Sequence, residues 1–311
     1  MTYTRRDLFR LTALTVTATS IGRSLAWSQQ PPPAPPVPEF KDLRRNIGIF
    51  TARGGTIGFL INPGGVAVVD TQFPDTAKLC LDGLKSRASN RGVDVVINTH
   101  HHGDHTGGNG VFREAAKKIV AHANVPRYQK EVAAAPPTNP NAPPPPPPTF
   151  PDTTFPDRWK TEIGDEVISA YHYGPGHTGG DAIVLFEKAN VAHMGDLMFN
   201  RMQPFIDRAR GASIANWMTL LERVMKEDPA DRLYIFGHAA PKFPVTGSKA
   251  DLAVQRDYFT ALLEYTRAKV KAGMPREEFI KSKDVLKGFE DHGPLFDRAL
   301  GAAFDEVSAG K

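Results

Sequence analysis

The stretch "VDVVINTHHHGDHTGG", residues 93–108, decides how this chain is read. Its first six residues form a short β-branched apolar run, the mark of a buried strand. Directly after it, four imidazoles and one carboxylate crowd into positions 100–105. A solvated loop has no need of that composition; half of a metal site does. Side chains of an extended segment alternate with period two, so His100 and His102 face one way and His101 another. Gly103 then lets the chain turn without the cost of a Cβ, and Asp104 and His105 come round to face a second ion. His101 reads as a loop residue whose ring bonds backbone.

Three other strand ends carry the same kind of side chain. "VISAYHY" (167–173) runs into "GPGHTGGD", which holds His177; "VAHMGD" ends on Asp196; "RLYIF" (232–236) leads to His238 in "FGHA". Gly176 and Gly195 sit beside these residues as further turning points. Loops at one end of an α/β sheet converge, so four strand ends can deliver ligands to one place. His177 completes three nitrogen donors with His100 and His102 on a first cation. His238 joins Asp104 and His105 on a second, and Asp196 has the chemistry to bridge both. Imidazoles and carboxylates without a thiolate suit two Zn²⁺ ions, and also accommodate iron or manganese.

The surrounding pattern is α/β. "NIGIFTA", "TIGFLIN" and "GVAVVDT" read as a meander broken by glycine-rich turns, followed by an amphipathic helix in "DTAKLCLDGLKSRAS". "KKIVAH" and "AIVLFE" add strands, while "SIANWMTLLERVMKE" and "DLAVQRDYFTALLEYTRAKVKAG" add helices. Cys80, the only cysteine, lies on a helix face and reads as a small buried hydrophobe. His122, His172, His193 and His292 have no partner motif and read as structural or surface residues. Asp181 reads as a brace for the His177 loop. Arg201 and Arg208 fit either a substrate carboxylate or a pairing with Asp207.

Residues 1–26 carry Arg5 and Arg6 ahead of a short apolar run and a small-x-small site, the layout of a twin-arginine signal peptide. A periplasmic or secreted protein passed through the twin-arginine export machinery is the expectation, with no stable membrane anchor. The segment holds four arginines against one aspartate, so the formal charge of +4 owes most of its size to the signal. The remainder is nearly neutral and offers no electrostatic footprint for nucleic acid. Residues 27–44 read as a proline-rich linker and 45–311 as the domain, interrupted by a proline-rich insertion at about 133–157. That insertion reads as an exposed surface loop, with a lid or a ligand for a protein partner as the alternatives.

The pieces "VVDT" with Asp70, His-x-His-x-Asp-His at 100–105, "GHT" with His177, "GD" with Asp196 and "GH" with His238, in this order, resemble the metallo-β-lactamase superfamily. The resemblance runs from about Ile47 to His238. It implies a four-layer αββα sandwich with a dinuclear site at one edge, and it makes Asp70 a residue that supports the metal loop without ligating. It also implies metal-assisted hydrolysis by a hydroxide bridging two zinc ions, with Asp104 ligating and holding that hydroxide in line. The absence of a cysteine at position 196 departs from the largest group of zinc β-lactamases, and His102 departs from the flavodiiron pattern. The ligand set looks more like thioester, lactone and ester hydrolases, and it overlaps a minority of β-lactamases. A small-molecule substrate is therefore expected. A β-lactamase is the alternative, and from another class an inactive metal-binding or partner-binding module.

Overall fold

The computed structural model describes residues 37–136 and 147–310. The twin-arginine segment 1–26 and the centre of the proline-rich insertion lie outside them. A first sheet holds, in spatial as in chain order, β1 (Glu39–Asp42), β2 (Ile47–Thr51), β3 (Ile57–Asn62), β4 (Gly65–Val69), β5 (Val95–Ile97), β6 (Ile119–His122) and β7 (Thr153–Phe155). The first four pair antiparallel, as the meander predicts, and β4 to β7 run parallel. The helices α1 (Pro74–Arg87), α2 (Gly103–Thr106), α3 (Asn109–Arg113) and α4 (Val125–Ala134) fall between its strands.

The second sheet takes β8 (Arg158–Ile163), β9 (Glu166–Tyr171), β10 (Ile183–Phe186), β11 (Val191–His193), β13 (Leu233–Ile235) and β15 (Thr246–Gly247), while β12 (Phe199–Asn200) and β14 (His238–Ala239) form a small parallel pair. The helices α5 (Ile214–Glu227), α6 (Lys249–Lys271), α7 (Arg276–Phe279) and α8 (Asp297–Ser308) complete the chain.

Period-two alternation sorts these strands into layers. Ala67, Val69, Val95 and Ile97 face Ile168, Val184, Phe186 and Ile235 across the gap between the sheets. Their neighbours Val66, Val68 and Val96 point the other way, onto Ala77, Cys80 and Leu84 of α1 and Phe112 of α3. On the far side, Ala192 and Tyr234 meet Trp217 and Leu221 of α5, Phe259 and Leu262 of α6, and Leu300 of α8. The order is helix, sheet, sheet, helix. Cys80 is buried in that outer core as a free thiol, which burial holds protonated.

Two boundaries differ from the sequence expectation. Strand β1 lies within the stretch 27–44 read as linker, because Phe40 packs its ring on Phe50 at 4.7 Å and on Phe59 at 5.8 Å. Strand β7 and the end of α4 lie within the insertion read as 133–157, because Asp152 accepts a hydrogen bond from the Ile119 amide at 3.0 Å and aligns β7 on β6. Among the described residues no helix is long and apolar enough to cross a membrane.

Candidate metal centre

Strands β9, β11 and β13 run in one direction, and β5 of the other sheet ends beside them, so their C-terminal loops meet. His100, His102, His177 and Asp196 bring one ligand atom each within 4.8 Å of one another, as do Asp104, His105 and His238. In the first group His102 Nδ1 lies 3.0 Å from His100 Nε2 and 2.8 Å from His177 Nε2. In the second, His238 Nε2 lies 3.1 Å from Asp104 Oδ2 and 3.3 Å from His105 Nε2. The two carboxylate oxygens of Asp196 divide between the groups. Oδ2 stands 3.5 Å from His177 Nε2, and Oδ1 stands 2.9 Å from His105 Nε2 and 3.4 Å from His238 Nε2. All seven predicted residues thus come together in the predicted halves.

The rings of His177, His105 and His102 are each turned by the other nitrogen, which fixes the tautomer. His177 Nδ1 donates to the Phe205 carbonyl at 2.6 Å. His105 Nδ1 faces Asp70 Oδ2 at 2.8 Å. Asp70 also accepts the amide and the hydroxyl of Thr99, each at 2.7 Å. It sits at φ +64°, a left-handed torsion that aspartate tolerates better than most residues. Asp70 therefore ties the metal loop to the end of β4, the supporting place that the resemblance implies. His102 Nε2 is held by Asp207 Oδ2 at 3.1 Å, which frees Nδ1 for the cluster.

The donor set fits divalent cations. Asp196 Oδ1 is buried without a hydrogen-bond partner, although two imidazole nitrogens flank it. Buried carboxylate oxygens do not stay unpartnered cheaply, and convergent nitrogen and oxygen donors are what zinc takes. Burial, and next the neighbouring His102, push His177 down to about 3, and burial drives His100 well below the ordinary range. Both rings keep a free lone pair at neutral pH. Burial works against ionisation of Asp104, but His105 and His238 outweigh it and hold the carboxyl at about 2. Burial likewise opposes protonation of His238, and Asp196 and Asp104 outweigh it to raise that ring to about 9. A cavity of about 640 Å³ opens over the cluster, walled by Phe73, Phe199 and Phe205.

Three expectations are corrected. The His101 ring bonds no backbone: both nitrogens lack a hydrogen-bond partner, and Nε2 lies 3.5 Å from Asp207. Arg201 and Arg208 do not pair with Asp207; they face Asp251 at 3.6 Å and Glu306 at 2.9 Å, and Arg210 takes the Asp207 position. Gly103 needs no left-handed torsion, whereas Gly195 does, at φ +51°. The structural readings hold elsewhere. Asp181 accepts amides from Gly176 and Thr178, His193 accepts the Gly195 amide on Nδ1, and His172 bonds the Asp181 carbonyl. Sequence reasoning missed Asp207 as the orienting partner of His102, since it stands 105 residues away in an irregular loop.

The family model described as the metallo-beta-lactamase superfamily matches residues 50–238, and the chain belongs to that superfamily. It is 24% identical over 207 residues to "Metallo-beta-lactamase IND-1" of Chryseobacterium indologenes, covering 66% of this chain and 80% of that one. It is 22% identical over 205 residues to "Metallo-beta-lactamase type 2" of Bacillus cereus, covering 63% and 74%. Among solved structures, a metallo-beta-lactamase from Pontibacter korlensis superposes with a TM-score of 0.59 at 18% identity, over 72% of this chain and 99% of that one. A double mutant of the sec-alkyl sulfatase PisA1 superposes with a TM-score of 0.61 at 15% identity, over 87% of this chain and 50% of that one. The chain is thus a hydrolase of this superfamily, with clusters of histidine and aspartate able to hold metal ions.

Proposed function

We propose that the protein is an exported dinuclear zinc hydrolase that cleaves a small ester, thioester or lactone. The observation that carries this reading is the division of Asp196 between two groups of three other ligands, one all-imidazole and one with a carboxylate. Two zinc ions held there would supply Lewis acidity and lower the pKa of water to near neutrality. The protein's own residues do the rest. His100, His102 and His177 present lone pairs; Asp104, ionised at neutral pH and 29% exposed, would accept a hydrogen bond from the attacking water and keep it in line. Phe73, Phe199 and Phe205 give the open cavity an aromatic wall against which an acyl group would pack. Water adds to the acyl carbon, the carbon–oxygen or carbon–sulfur bond breaks, and the departing alcohol or thiol leaves with a proton.

The paired Arg5 and Arg6 support export by the twin-arginine route into the periplasm or beyond, and neither anchor nor nucleic-acid surface enters the reading. The zinc-loaded chain should turn over at least one member of a panel of esters, thioesters and lactones. Asp104→Ala should lower kcat by at least about 10²-fold, with the melting transition retained. Turnover of nitrocefin with none of that panel would replace this reading with a β-lactamase. Replacing Arg5 and Arg6 with lysine should keep the chain in the cytoplasm; undiminished export would remove the localisation.

A further inference from the structure

A second cavity, of about 210 Å³, adjoins the one over the metal centre, and Phe73 and Gly103 line both. The rest of its wall is largely apolar, with Val132 and Ala133 of α4, Pro147 and Pro148 contributing, and among the described residues no Asp, Glu, Lys or Arg. Gly103 stands where the two meet. Its backbone needs no left-handed torsion, and a Cβ placed on it would meet nothing within 4 Å. At Gly107 and Gly108, by contrast, a Cβ would strike backbone. Gly103 is exposed, and a Cβ there would point into open space, so the chain leaves the passage between the two cavities clear. Gln129 and His101 also line this cavity, and every polar atom of their side chains is buried without a partner. An apolar occupant leaves these groups unpaired, so they do not themselves recognise it.

We propose that this cavity seats the apolar acyl group of the substrate, with the scissile carbonyl reaching past Gly103 to the metal centre. The inference rests on the hydrolase reading and narrows it to esters or thioesters of an apolar carboxylic acid. The space of about 210 Å³ is open to solvent along Val132, which is 49% exposed, so an acyl chain of about six carbons would lie along it half-buried.

The test is a series of p-nitrophenyl esters from acetyl to decanoyl, given to the zinc-loaded full chain. The value of kcat/KM should rise about twofold per methylene, equivalent to about 0.4 kcal/mol for a half-buried chain, and stop rising near hexanoyl. Gly103→Val and, separately, Ala133→Phe should each lower the hexanoyl-to-acetyl ratio at least about tenfold. A merely structural role would lower all chain lengths together. Benzene should raise the melting temperature of the wild type and not of Ala133→Phe. A flat chain-length profile, or one whose slope lies in the alcohol of a matched acetate series, overturns the inference and leaves the hydrolase standing. Stabilisation by benzene with no ester turned over removes the hydrolase and the acyl assignment, and leaves an apolar ligand site.

Discussion

Asp196 joins the two halves of the site, and its neighbour in space Gly237 keeps it there. A Cβ at Gly237 would collide with Asp196 Oδ1 and with the backbone of Gly195. Gly237→Ala should therefore push the bridging carboxylate aside, halve the bound metal and lower turnover about 10²-fold. Full metal content and full activity in that variant would show that Asp196 does not bridge. His122 offers a separate check, on stability. Burial, and next the stacked His172 at 3.9 Å, hold its ring down to about 4 against an ordinary 6.5. The folded chain thus resists a proton that the unfolded chain accepts. The contribution is full above pH 6.5 and is lost as the pH falls toward 4. The His122 ring protons should titrate near 4 by NMR, and His122→Gln should flatten the fall of the urea midpoint over that window. A native ring titrating near 6.5 contradicts the packing described for it.

At the scale of elements, the ligands hang from strand ends, and the helices fix where those ends lie. Glu306 of α8, fully buried, accepts the amides of Ile214 and Ala215 at 2.9 and 2.8 Å and pairs with Arg208 at 2.9 Å. It thereby caps α5 and holds the loop that carries Asp207. Breaking a buried, hydrogen-bonded charge pair costs about 3–5 kcal/mol. Glu306→Ala should lose that much in urea unfolding and loosen the hold of Asp207 on His102; a loss below about 1 kcal/mol would detach α8 from the site. The strands that build the centre were legible because they are short apolar runs ending in glycine-flanked ligands, as in "VDVVIN" before His100. Strand β8, "RWKTEI", escaped because its edge position lets it alternate polar with half-buried residues. Strand β1 and helix α4 were hidden by the prolines beside them. The seven residues that converge on the candidate centre were legible from residue type and spacing. Asp207, the Glu306 cap and the role of Thr99 were not, because they depend on contacts across 29 to 105 residues that no local pattern encodes.

For the whole molecule, two sheets pressed face to face leave one edge where loops from both converge, and the outer helices close the sandwich without covering that edge. The fold supplies rigidity; the loops supply chemistry. At that edge the histidine and aspartate clusters can hold metal ions beneath an aromatic cavity, and the proposed function requires that they hold two. That claim is tested most directly by anomalous diffraction at the zinc edge from crystals of the chain purified without chelator and supplied with zinc. The account predicts two peaks, one inside His100, His102 and His177 and one inside Asp104, His105 and His238, with Asp196 between them. No peak at either position, or a single peak with Asp196 turned away from it, would contradict it.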